Sequence, residues 1–115
     1  QSEVYQDSLK ECRRLSRQQG INALMQQHGL DAFIAPTSGP AWLTDSIHGD
    51  PISIETSFTP SAVAGYPGIS VPAGFVSGLP VGISFYGSAW SETILLRCAH
   101  AFENASKATK PPVLA

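Results

Sequence analysis

Charge is what this sequence has least of. Asp, Glu, Lys and Arg make up 14% of its 115 residues, against about 25% in an average globular domain. Apolar residues, at 43%, are present in the usual proportion. The combination points to a surface that is partly covered, by another chain or by a missing part of the same one. Net charge is −2 and no basic stripe runs through the chain. That excludes nucleic acid as a partner, because phosphate binding requires clustered Lys and Arg. Long hydrophobic runs are absent too: none approaches the ~20 residues of a membrane span, so no membrane partner is expected. Cysteine is scarce. Cys12 and Cys98 match neither CxxC nor a zinc pattern. Both fall on the apolar faces of predicted helices and read as buried free thiols; a bridge would require those two helices to pack together. Neither a signal peptide nor an initiating methionine opens the chain, which starts Gln1-Ser2-Glu3-Val4 inside a helical pattern. It reads as cut from something longer and as cytoplasmic.

The periodicity predicts a helix over 3–18, with Tyr5, Leu9, Cys12 and Leu15 or Ser16 as its buried stripe. Lys10, Arg13, Arg14 and Arg17, among Glu3, Asp7 and Glu11, read as its solvated face. Gly20 interrupts, and a second helix is expected over 21–28, with Gly29 as the left-handed residue beyond its end. His28, in its last turn, reads as a dipole partner rather than a ligand. Residues 31–36, inside an apolar run stopped by Pro36, read as a strand buried on both faces. Residues 38–57 read as a long irregular loop, a feature that in compact domains is often functional. A short helix is expected over 58–66, followed by strands near 68–72 and 79–86 that form an antiparallel hairpin with its turn over 75–78. Gly82 inside the second strand marks a bulge or a close backbone approach. The last element is a helix over 91–107 with Ser88 or Ser91 as N-cap, ending in an extended tail. The fold class is therefore α/β.

Catalytic patterns are missing. Gly68-Ile69-Ser70-Val71-Pro72 fails the nucleophile-elbow pattern at its last position, and Gly82-Ile83-Ser84-Phe85-Tyr86-Gly87 has one residue too many. Both serines lie in strands and read as structural. His28, His48 and His100 share no metal-ligand spacing. His48-Gly49-Asp50 pairs a base with a carboxylate, with no serine or thiol to accompany it. No phosphate-binding or dinucleotide motif occurs, so no metal and no cofactor is expected. Asn104-Ala105-Ser106 matches a glycosylation site but sits in a helix, where chance explains it.

One ordered set of blocks remains. Asp31-Ala32-Phe33-Ile34-Ala35-Pro36-Thr37 is followed by Ala64-Gly65-Tyr66-Pro67-Gly68-Ile69-Ser70-Val71-Pro72-Ala73-Gly74. Then come Gly78-Leu79-Pro80-Val81-Gly82-Ile83-Ser84-Phe85-Tyr86-Gly87 and a helix bearing Glu92, Leu95, Leu96 and Glu103. In this order and spacing the string resembles the C-terminal portion of the amidase signature family, amide hydrolases with a Ser-Ser-Lys triad. The resemblance implies that residues 1–115 are a single segment, the C-terminal part of an amidase domain and a piece of a mixed β-sheet with covering helices. It also implies that the triad lies upstream, that no residue here is catalytic, and that the chain alone is inactive. Its partner is then the remainder of the amidase chain or a second copy of itself, and a small amide is the substrate of the intact enzyme. Ala62, where many members have Asn, and Ser84, where many have Gln, make it more similar to the peptide-amidase type than to the tRNA amidotransferase subunit. By the same resemblance Thr37, Ser38 and Trp42 bind substrate, with Trp42 as an apolar wall; the alternative is that Trp42 packs the loop onto the core. Two rival readings stand beside this one: a non-catalytic α/β binding or assembly module, and a stand-alone hydrolase built on His48 and a nearby serine.

Overall fold

The computed structural model describes residues 2–50 and 56–111. Helix α1, Glu3–Arg13, is capped by Ser2, whose side chain accepts from the Tyr5 N–H. It does not end where the sequence pattern ends. It runs on through Arg14–Ile21, a stretch kinked at Gly20, and then into helix α2, Asn22–His28. The cause is local: the Ser16 hydroxyl donates to the Cys12 carbonyl at 2.7 Å, a bond that bends helices. At Gly20 the backbone turns to φ −103°, ψ −108°. A Cβ there would sit 2.8 Å from the Leu15 carbonyl oxygen, so the kink requires glycine. Helix α2 stops at Gly29, in the left-handed conformation expected of it.

Strand β1, Phe33–Pro36, lies in the expected apolar run. Part of the expected loop, residues 51–55, lies outside the described residues. Helix α3, Thr59–Ala64, has Pro60 in its first turn and a left-handed Gly65 after it. Strands β2, Gly68–Val76, and β3, Leu79–Tyr86, form the antiparallel hairpin. The turn is shorter than the sequence pattern indicates. Phe75 and Val76 stay in the strand, and Ser77 (φ 52°) with Gly78 (φ 82°) makes the connection. Two successive positive φ values match the twist of the flanking strands. The irregularity expected at Gly82 lies across from it, where the register shifts between Pro72 and Gly74. Strand β1 also pairs antiparallel with β3, giving the order β1-β3-β2.

Helix α4, Glu92–Ser106, follows Ser91. The Ser91 carbonyl accepts from the Ile94 and Leu95 N–H groups, while its hydroxyl turns back to the Ser88 carbonyl at 2.8 Å. This helix covers one face of the sheet. Val71 and Phe85 meet Leu95 and Ala99 there, with Ile69, Ile83, Cys98 and Phe102 packed around them. Phe102 meets the Phe85 ring edge-on at 6.1 Å. The opposite face looks toward α2 and α3 across an apolar recess. Along β1 half-buried and exposed residues alternate: Phe33 and Ala35, on the face shared with Tyr86 and Ser84, are half-buried, and Ile34 and Pro36 are exposed, so the strand is not buried on both faces as its apolar run predicts. No helix among the described residues is long and apolar enough to cross a membrane.

Candidate functional site

The face of the sheet opposite α4 carries a cluster of three hydroxyls. Side chains alternate along strands, and the register sets Ser70 opposite Ser84, while β1 ends beside the same spot. Proline has no N–H to continue a ladder, so the chain resumes pairing one residue later, where the Thr37 N–H donates to the Gly82 carbonyl at 2.9 Å. Gly82 is the close approach expected from the sequence: a Cβ on it would lie 2.8 Å from Thr37 Oγ1. Three hydroxyls then close a triangle. Thr37 Oγ1 lies 2.8 Å from Ser84 Oγ and 3.3 Å from Ser70 Oγ, and the two serine oxygens are 2.9 Å apart. Ser84 is 0% exposed. The triangle satisfies its own hydrogen bonds and contains no base. A serine hydroxyl without a proton acceptor is a poor nucleophile.

Of the three residues expected to bind substrate, the structure anchors Thr37 in this triangle. Ser38 and Trp42 lie beyond it in the loop. The exposed Ser38 hydroxyl donates to the Gly39 carbonyl at 3.2 Å, and Trp42 is 45% exposed. The loop has its own fold further on. Asp45 Oδ1 accepts from the Ile47 and His48 N–H groups at 2.9 and 3.0 Å, and Oδ2 meets His48 Nδ1 at 3.0 Å. The carboxylate that His48 finds is therefore Asp45, three residues before it, and not Asp50. The cause is an Asx-type turn, in which a side chain bonds backbone two residues on. The His48 N–H, the Ile47 N–H and the His48 ring, in that order, hold the Asp45 carboxyl below the usual carboxylate range.

A hollow of about 650 Å³ beside the sheet is lined by Ile21, Leu24, Phe33, Pro60, Val63 and Tyr86 among others. Phe33 and Tyr86 stack at 5.1 Å between ring centres. Thr56 pairs with Thr59 at 3.0 Å, and Ser16 with the Cys12 carbonyl. The recess is mostly apolar. Another hollow, about 500 Å³, includes Arg17, Tyr66, Trp90 and Glu92. Arg17 departs from the solvated face expected of it. Its Nε donates to the Ala64 carbonyl at 2.6 Å, and its guanidinium lies 5.5 Å from the Tyr66 ring centre. The long stem lets it lie along α3 and cap that helix's end. Arg14 does remain on the exposed face, donating to Glu11 at 2.7 Å. Cys12 is also exposed rather than buried, Cys98 is half-buried, and both are free thiols. No group of metal-ligating side chains gathers among the described residues.

Sequence reasoning misses the hydroxyl triangle, although its signal is present. Ser70 and Ser84 sit in strands joined by a short turn, and a correct register alone makes them neighbours. Thr37 joins from a third strand, which nothing local indicates.

The amidase family model matches residues 1–96, and the chain belongs to that family. Among solved structures, a peptide amidase bound to the competitive inhibitor chymostatin superposes with a TM-score of 0.91 at 42% identity. That match covers 98% of this chain and 23% of the other. The peptide amidase of Stenotrophomonas maltophilia gives a TM-score of 0.82 at 41% identity, covering 97% and 22%. A glutamyl-tRNA(Gln) amidotransferase subunit from Thermotoga maritima gives 0.71 at 31%, covering 92% and 23%. Among curated sequences, the corresponding amidotransferase subunit from Marinobacter nauticus is 39% identical over 107 residues, 90% of this chain and 22% of that protein. The chain thus spans less than a quarter of the relatives it matches. Its solved neighbours are more similar on the peptide-amidase side, in keeping with the sequence pattern at Ala62 and Ser84.

Proposed function

We propose that this chain is the C-terminal part of an amidase that hydrolyses carboxylic amides, C-terminal peptide amides among them, and not internal peptide bonds. In the complete enzyme a serine attacks the amide carbon while a second serine and a neutral lysine carry the proton. Water then releases the acid from the acyl-enzyme. The triad lies outside this chain. The observation that carries the reading is the match to peptide amidase over 98% of this chain and 23% of that one. The hydroxyl triangle supports it, since the serines best placed to act have only hydroxyls for partners. Thr37, Ser38 and Trp42 belong to the substrate cleft in this reading. The partner is the remainder of the amidase chain or, failing that, a second copy. Two free thiols accord with a cytoplasmic setting.

The test is an amidase assay on the purified chain with a C-terminally amidated peptide. The expected result is no hydrolysis above the buffer rate. Turnover lost on Ser70→Ala, Ser84→Ala or His48→Ala would overturn the proposal. Sedimentation across a range of concentrations adds a second check, and self-association is expected.

A further inference from the structure

We propose that Ser70 and Ser84 are positioning residues: with Gly82 they fix Thr37 as the post to which the loop carrying Ser38 and Trp42 is tied. The inference rests on the substrate-cleft reading of that loop and deepens it.

Thr37 is held at every polar atom it has. Its N–H donates to the Gly82 carbonyl at 2.9 Å, and its hydroxyl is shared between Ser84 at 2.8 Å and Ser70 at 3.3 Å. Its carbonyl accepts from the Ser57 N–H at 3.3 Å. The last bond matters most. The chain leaves the sheet at Thr37 and, twenty residues on, returns to it, so one residue closes both ends of the excursion. A loop tied at its base has far fewer conformations than one tied only by chain connectivity. Gly82 supplies the space, because a side chain there would displace Thr37 Oγ1. Ser84 is wholly buried and bonds both other hydroxyls. It orients Thr37 from below, while Ser70 supports it from the neighbouring strand. Ser84 is buried, Thr37 half-buried and Ser70 exposed, and a polar network in which every member is satisfied rigidifies its surroundings, most strongly at its buried member. Neither serine is expected to touch substrate. Their effect passes through Thr37 to Ser38, the next residue, and to Trp42 beyond it.

The experiment has two arms. The first follows backbone amide order by NMR in the isolated chain, at Ile47, His48 and Gly49 and at the Trp42 indole. Thr37→Val keeps the shape and removes the hydroxyl; Ser84→Ala removes the central one. Both should lower the loop's order parameters toward ~0.6 while hairpin amides stay near ~0.85, and Thr37→Ser should match the wild type. Unchanged loop order in both variants overturns the clasp. The second arm grafts this chain onto the Stenotrophomonas maltophilia peptide amidase in place of the segment it matches. Ser84→Ala and Ser70→Ala should raise KM about tenfold, equivalent to about 1.4 kcal/mol, with kcat nearly unchanged. A looser loop with KM unchanged overturns the positioning role, and a harmless Trp42→Ala in the same graft then withdraws the cleft assignment as well. A raised KM in Trp42→Ala with Ser84→Ala neutral leaves the cleft assignment standing and overturns the positioning role alone.

Discussion

Helix α4 and the β2–β3 hairpin enclose their own core: Val71, Phe85, Leu95 and Ala99 are all buried against one another. Helices α1 and α2 also carry apolar residues, yet neither buries a single one: Val4, Tyr5 and Leu24 stand open, as does Leu15 in the segment between them. Only Ile21, in that kinked segment, is buried. Composition separates the regions in part, since α1 carries five charged residues among eleven and α4 three among fifteen; what each helix packs against separates them further. The hairpin and α4 meet within about forty residues of chain. Among the described residues, the N-terminal segment meets α3 most closely and faces the sheet across an apolar recess. An amphipathic stripe records that a helix is meant to be covered; it does not record by what. Relatives more than four times as long supply the natural candidate.

This contrast is sharpest under truncation. Leu95, 2% exposed, should cost about 2–5 kcal/mol when cut to alanine, measured by urea unfolding of dilute chain. Leu15→Ala, on the open stripe, should change stability by less than about 0.5 kcal/mol. A comparable loss in both would break the comparison and mean that α1 is covered in solution. Next in size is Gly20→Ala, whose added Cβ meets the Leu15 carbonyl oxygen at 2.8 Å. It should cost about 1–3 kcal/mol, read as lost helical circular dichroism, with the hairpin's hydrogen-exchange protection intact. Inside the well-covered region, Ser77→Asn should stabilise by a few tenths to about 1 kcal/mol. Asparagine tolerates the left-handed backbone of this turn (φ 52°) better than serine does. A neutral result would place the turn's cost elsewhere.

The smallest effect is electrostatic and local. The Asp45 carboxyl is held below its ordinary range by the folded turn. A lowered folded value means the turn gains stability above the usual carboxylate range and loses it as pH falls through the lowered one. Acid titration followed at the Ile47 and His48 amides should show the 45–48 turn opening while α4 and the hairpin persist. Concerted loss of both would tie the loop to the core more tightly than the contrast allows.

Much of this architecture is written locally. Gly29 and Gly65 stop their helices in left-handed backbone, the hairpin follows from two apolar runs and a Ser-Gly turn, and Gly82 announces a close approach. What fails depends on distant groups. Arg17 looks solvated until α3 is brought beside it. Cys12 looks buried because periodicity marks the face and not its cover. The kink is marked in sequence by Gly20, whereas the Ser16 bond to the Cys12 carbonyl that accompanies it is not. In the candidate site, Thr37 enters as an expectation from a family resemblance, whereas the serines bonded to it need the register of the strands. His48 keeps its carboxylate but exchanges Asp50 for Asp45, since a turn of three residues is set by backbone donors rather than by adjacency.

The strand order β1-β3-β2 places the last strand of the three in the middle. On a ribosome this becomes a matter of waiting. Thr37 emerges 47 residues ahead of Ser84, roughly 2–10 s at ordinary rates of synthesis. Through that interval β1 is an apolar ribbon with no hydrogen-bonding neighbour among the described strands, and the loop beyond it has nothing to be tied to. The sheet and the clasp arrive together, when β3 slides between two strands already made. Conditions that slow translation through β3 therefore lengthen the time in which β1 is open to other chains, and misassembly should begin there.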